Sequence, residues 1–222
     1  MVVTGHINTA FSPWLHSPAA SDRESPHILQ LPYFRLAVGG RTAVALFFLI
    51  TGYVNSIGPV GRARSGNVEG AFSGVARASL ARAGRLILPT AIATVIAWLC
   101  ANLRIYHMAQ HIDATWIRQR WHKPSASVGE AITDLVQAQV ATWTRGWDDY
   151  DGTQWTLLHF LRASMLVYMT LVATMLVQPR YRKGVYFLLH AYGWVSGDRE
   201  CELVFLGFLR HVQRLIKLAF FA

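Results

Sequence analysis

Three stretches of this chain run apolar for long enough to cross a bilayer, and the polar positions gather between them. From Thr42 to Gly61 the sequence TAVALFFLITGYVNSIGPVG holds no Asp, Glu, Lys or Arg. As a helix it would cross a hydrocarbon layer of roughly 30 Å. A second uncharged run extends from Leu86 to Leu103, with Arg82 and Arg85 at its lip. Pro89 falls in the first turn expected for that helix, where a missing N–H costs little. The third run, Trp155 to Gln178, is broken only by Arg162 and is followed by the basic stop PRYRK. The segment 184–197, GVYFLLHAYGWVSG, has the length of a core or re-entrant helix. In the tail, Arg210, Arg214 and Lys217 share one helical face against Leu206, Leu209, Leu215 and Leu218, the pattern of an interfacial helix. The pattern predicts an all-α, multi-pass integral membrane bundle with about three to five membrane helices.

The polar connections orient these helices. Arg62 to Arg85 holds five arginines against one acid, Glu69, and PRYRK adds three basic residues. The longer segment 104–154 balances five basic residues with six acids. The positive-inside bias therefore places the first two connections in the cytosol and 104–154 outside or in a lumen. The crossings then alternate inward, outward, inward, and the stretch before Thr42 starts on the outer side. A further helix in front, or a translocated N-terminus, is expected. Trp116, Trp121, Trp143 and Trp147 suit an interfacial belt or a partly buried cap.

Composition agrees: 53% of residues are hydrophobic and 15% charged. The net charge of +9 would suit a nucleic-acid binder, but the basic residues punctuate apolar stretches instead of forming a polar face. Two cysteines, Cys100 in an apolar run and Cys201 beside acids, exclude a disulfide framework and a Cys-rich zinc site. The start MVVTGHINTAF lacks the basic and apolar regions of a signal peptide. Repeats and low-complexity tracts are absent, so one membrane domain is expected over 1–222.

Some residues invite chemistry. Arg162 has ten uncharged residues before it and seventeen after. A cation within a membrane costs at least roughly 2.5–3.5 kcal/mol, so it either faces the bundle interior and finds an anion or snorkels to the interface. His159 lies on the same face, as a cavity residue or a hydrogen-bonded core histidine. His107 and His111 have a helical metal-ligand spacing, but no glutamate adjoins the first and no third ligand is evident, so no metal is expected. The acidic DDYD at 148–151 reads as a solvated loop before a membrane helix, with cation binding or acid–base work as the alternative. Nucleophile elbow, P-loop and dinucleotide fingerprint are missing.

Five pieces in order resemble the membrane-bound acyltransferase 3 family, especially its fungal members: GH at 5–6, SPHILQLPYFRL at 25–36, GRTAVALFFLITGYV at 40–54, RAGRLILPT at 82–90 and YDGTQWTLLHFLRASMLVYM at 150–169. The resemblance implies a partial version of a fold of roughly ten membrane helices. It implies transfer of an acyl group, usually acetyl from cytosolic acetyl-CoA, to a hydroxyl of a carbohydrate, lipid or small metabolite. His6 matches the family's catalytic base, while the basic residue that precedes it in the family lies before this chain's start. Arg82 and Arg85 match an Arg-x-x-Arg signature. Paired guanidiniums three residues apart can grip coenzyme A phosphates, though positive-inside anchoring also accounts for them. Arg162, His159 and Trp155 fall in the Trp-Thr motif and are assigned to a substrate cavity or a structural role. Many members have glutamate where Phe160 stands, and phenylalanine cannot relay a proton. The expected partners are the bilayer, acyl-CoA and a hydroxyl-bearing acceptor, with no nucleic acid. The alternative is a non-catalytic membrane protein, either a pseudoenzyme partner or a small transport-like bundle.

Overall fold

The computed structural model describes residues 2–16, 26–198 and 203–207. Eight α-helices follow in order: α1 (Val2–Phe11), α2 (Arg35–Val38), α3 (Gly40–Arg64), α4 (Val68–Asn102), α5 (Thr115–Arg120), α6 (Val128–Thr144), α7 (Trp155–Thr174) and α8 (Pro179–Ser196). Residues 203–207 are helical as well, and no strand occurs among the described residues. Three helices, α3, α4 and α7, are long and apolar enough to cross a membrane. The fold is thus the expected all-α multi-pass architecture. The cations of the interfacial tail, Arg210, Arg214 and Lys217, lie outside the described residues, as does Cys201.

The helix limits depart from the sequence pattern in instructive ways. The arginine-rich connection is not a loop: α4 begins at Val68 and is one helix of 35 residues. Alanine and arginine dominate its first half, and both favour helix strongly. Asn67 opens it by accepting the Gly70 N–H on its side-chain oxygen at 2.7 Å. Pro89 therefore lies deep inside α4 and not in a first turn. It has no N–H for the carbonyl of Arg85, a loss that membrane helices tolerate when neighbours compensate. In contrast α7 stops at Thr174, short of Gln178, because the Arg182 guanidinium caps it, donating to the carbonyls of Met175 at 2.7 Å and Val177 at 2.9 Å. Pro179 then starts α8, so PRYRK is the first turn of a helix.

The stretch 104–154 also holds more structure than its polarity suggested. It carries a 3-10 helix (Ile105–His111), α5 and the 17-residue α6. Ser127 caps α6 by accepting the Glu130 N–H at 3.2 Å, and the Glu130 carboxylate reaches back to the Ala126 N–H at 2.9 Å. This close relative of a capping box is readable as S-x-x-E. Trp121 and Trp143 are half-buried and Trp147 is exposed.

The chain divides into two compact units, Met1–Val44 with Pro89–Leu158, and Ala45–Leu88 with His159–Ala222. In the first, Ala97, Ala101, Ala138 and Tyr150 form a core flanked by Trp98 and Tyr106. Alanine at these positions lets α4 and α6 approach closely. Trp98 Nε1 donates to the Ala131 carbonyl at 2.7 Å, and Gln139 Nε2 to the Ala91 carbonyl at 3.0 Å.

In the second unit, Phe48, Val75, Val167, Leu171, Tyr186 and Phe205 are buried. Segment 203–207 crosses α3 through glycine on both sides. A Cβ on Gly52 would overlap the Val204 carbonyl, and one on Gly207 would overlap that of Leu49. Only glycine permits this approach.

Candidate functional site

Within the second unit, α3, α4 and α7 converge on Arg82. Its Nε donates to Ser164 Oγ at 2.9 Å and its Nη2 to Thr51 Oγ1 at 3.2 Å. Ser164 in turn donates to the Phe160 carbonyl at 2.7 Å, which aims its oxygen lone pairs at the guanidinium. One turn further along the same two helices, Tyr168 donates its phenolic hydrogen to Asn55 Oδ1 at 3.1 Å. Thr51, Asn55, Ser164 and Tyr168 are all buried, Arg82 is half-buried and Arg85 is exposed.

Polar side chains within apolar helices are costly unless paired, so this grouping is the interior of a site and not incidental polarity. Two N–H groups of the Arg82 fork are spent on hydroxyls, which fix its plane. The rest of the fork, with Arg85 one turn on, carries further N–H donors of the kind that match carboxylate and phosphate oxygens. Asn55 contributes a further buried amide, whose Nδ2 has no protein partner. Sequence reasoning found the arginines but missed Thr51, Asn55, Ser164 and Tyr168. Their signal was present, since Thr51 and Asn55, and likewise Ser164 and Tyr168, sit at i and i+4 on otherwise apolar helices.

The other expected residues fall elsewhere. His6 is half-buried in α1 and belongs to the first unit, whereas Arg82 and Arg85 belong to the second. The adjacent Gly5 lies against Gly40 at the start of α3, a contact at which an added Cβ would be 2.8 Å from the Gly40 Cα. Arg162 is exposed on α7, His159 is half-buried and Trp155 is exposed. Phe160 stacks on Phe48 with ring centroids 4.3 Å apart. His107 and His111 are exposed in the 3-10 helix with ring centroids 5.8 Å apart. Among the described residues no group of three or more His, Cys, Asp or Glu could hold a metal ion.

DDYD needs correction. Asp149 is exposed, but Asp148 is only 1% exposed and is no part of a solvated loop. Its Oδ2 accepts from the hydroxyls of Thr94 and of Thr142, the latter at 3.3 Å. Its Oδ1 accepts from the N–H groups of Tyr150 at 2.8 Å and Asp151 at 3.2 Å. This carboxylate ties α4, α6 and the approach to α7 together, a structural task that its acidic neighbours hid in the sequence.

Three spanning helices, two of them joined to the third through a guanidinium held by hydroxyls, define an integral membrane protein with a polar cluster built between helices. The chain belongs to the acyltransferase 3 family, whose profile, described as an acyltransferase domain, matches residues 1–222. It is 28% identical over 199 residues to the O-acetyltransferase PaAT-1 of Phomopsis amygdali, a match covering 82% of this chain and 39% of that protein. The chain thus spans well under half the length of this relative. No solved structure matches it.

Proposed function

We propose that this chain is part of a membrane-bound O-acyltransferase that takes an acyl group, acetyl by likeness to the fungal relative, from an acyl-CoA and passes it to a hydroxyl of a carbohydrate, lipid or small metabolite. Residues 1–222 are read as one partial acyltransferase domain, with 104–154 on the extracytoplasmic side. The observation that supports this reading best is the fixing of Arg82 by Ser164 and Thr51 at 2.9 and 3.2 Å. An arginine that served only as a cytosolic anchor would need no partners on two other helices. A planar fork held in place is what bidentate phosphate recognition uses.

In this reading Arg82 and Arg85 hold the phosphates of the donor, and the thioester lies at the far end of its pantetheine arm. His6 takes the proton of the acceptor hydroxyl as the oxygen attacks the thioester carbonyl. The tetrahedral adduct collapses with cleavage of the C–S bond, and the imidazolium returns the proton to the departing thiolate. The products are an ester and free coenzyme A. Arg162, His159 and Trp155, near the start of α7, are each assigned a role in acceptor binding or in the structure of that helix.

The non-catalytic reading is favoured by Phe160, whose ring is taken up in the stack with Phe48 and cannot relay a proton. The two readings separate with purified chain in detergent. Acetyl-CoA binding should weaken about tenfold or more in Arg82→Ala/Arg85→Ala, the loss expected for charge-assisted hydrogen bonds. In His6→Ala, binding should persist while turnover is lost. Binding without turnover in the unaltered chain supports the non-catalytic reading, and equal binding by the arginine variant removes the donor assignment.

A further inference from the structure

The turn between α3 and α4 encloses a second basic feature. A pocket of about 300 Å³ is lined by Arg62, Asn67, Gly70, Ser73, Gly74 and Arg77. Arg62 comes from the last turn of α3 and Arg77 from the first half of α4. The Arg62 guanidinium reaches across to the Gly70 carbonyl, with Nη1 at 3.5 Å. It can do so because residue 74 is glycine, where a Cβ would overlap Nη1 of Arg62. The amide end of α4 is not what the pocket offers, since Asn67 already accepts the Gly70 N–H. The Ser73 hydroxyl is likewise spent, donating to the Gly70 carbonyl at 3.2 Å, so what the pocket offers is two exposed guanidiniums from different helices and the Asn67 amide.

Two like charges brought into one pocket repel, and no carboxylate is among its lining residues. The positive-inside bias explains why this connection is basic, but it does not make two arginines from separate helices converge. A bound anion does. Guanidinium forks match the paired oxygens of phosphate, and the tetrahedral group can accept from two forks at once.

We propose that Arg62 and Arg77, with the Asn67 amide, form a phosphate-binding subsite separate from Arg82 and Arg85. The ligand is a phosphate ester group, and a membrane protein of this family meets that chemistry in two forms: the 3′-phosphate of a coenzyme A donor and the headgroup of an anionic phospholipid. Arg77 precedes Arg85 on α4 by eight residues, about 12 Å of helix axis and about 80° around it, so the reach of two arginine side chains is enough to bring one nucleotide bearing a 3′-phosphate and a 5′-diphosphate between them. That form rests on the donor assignment above. The lipid form does not.

The test uses the full chain in nanodiscs, with the exposed pair changed as Arg62→Gln/Arg77→Gln and with Gly74→Ala, which keeps both arginines and pushes the Arg62 tip out of the pocket. One arm compares coenzyme A with 3′-dephospho-coenzyme A in phosphatidylcholine discs. The other measures retention of phosphatidic acid over phosphatidylcholine by native mass spectrometry. If the 3′-phosphate is the ligand, the unaltered chain prefers coenzyme A by about tenfold, and both variants lose that preference. If the lipid is the ligand, the two coenzymes bind alike while phosphatidic acid is retained by the unaltered chain and released by both variants. Either pattern upholds the subsite. No preference in either arm, or preferences that survive in Arg62→Gln/Arg77→Gln, overturns it. Failure of all coenzyme binding alongside arginine-dependent phosphatidic acid retention overturns the donor assignment and leaves the subsite standing.

Discussion

Ser164 and Thr51 hold a guanidinium in place without needing to touch a ligand, and this can be read experimentally. Ser164→Ala and Thr51→Val each remove one acceptor while nearly keeping the side-chain volume. Each should weaken acetyl-CoA binding about three- to tenfold with little loss of thermal stability, since each deletes a single charge-assisted bond. Ser164→Thr, which retains the hydroxyl, should recover most of the loss. A fall in melting temperature with unchanged affinity would assign both residues to packing alone. Tyr186 is a second case in which one atom has a measurable consequence. It is fully buried, its hydroxyl pairs with Thr174 at 2.9 Å, and burial pushes the phenol up to about 12. The folded state therefore keeps a proton that the unfolded chain gives up near pH 10, and stability should fall as pH rises from about 10 to 12. Circular dichroism in detergent should show that decline becoming shallower in Tyr186→Phe. The arginine pair was legible in the sequence because charge next to an apolar run stands out. Its hydroxyl partners left only a faint trace, the i, i+4 pairs Thr51 with Asn55 and Ser164 with Tyr168, because Ser and Thr inside membrane helices resemble ordinary filler until three helices are brought together.

The lesson is similar for whole helices. Hydropathy located the cores of α3, α4 and α7 because about twenty apolar residues have few other uses. It could not see that α4 extends far back through an arginine-bearing half, because helix propensity and membrane preference part company there. In the same way, the acidic and basic residues of 104–154 hid α6, although Ser127 and Glu130 already spelled its cap. Asp148 makes that region testable. In Asp148→Ala the N–H groups of Tyr150 and Asp151 lose their acceptor, while Thr94 and Thr142 keep only Gln154 Oε1 and the Ala138 carbonyl, which should cost about 2–3 kcal/mol. A thermal shift in detergent should show it, with Asp148→Asn intermediate. A neutral result would mean that the alanine face and the Trp98 and Gln139 hydrogen bonds hold α6 without it. The crossing of segment 203–207 over α3 is equally specific. Gly52→Val has no room beside the Val204 carbonyl and should cost about 1–3 kcal/mol by overpacking, which a detergent melting curve would register. If it melts like the unaltered chain, the close approach is not maintained in solution.

At the scale of the molecule, the charge asymmetry between connections makes a prediction independent of any chemistry. Ser65→Cys and Ala126→Cys, in connections of opposite charge balance, should react with an impermeant maleimide from opposite sides of sealed vesicles. Labelling of both from one side would require redrawing the topology. The family was legible because its motifs are local strings, each within one helix or turn. The pairing of Arg82 with Ser164, separated by 82 positions, exists only once the helices meet. Timing follows from the glycine crossing. During synthesis α3 emerges early, yet the surface around Gly52 is closed by Val204 and Phe205, both wholly buried and made some 150 residues later. Until residue 204 is made, then, the wall of α3 that carries Gly52 must wait, lipid-facing or chaperoned, for this neighbour. A nascent chain arrested before residue 203 should be far more open to quality-control proteases than one arrested after 207.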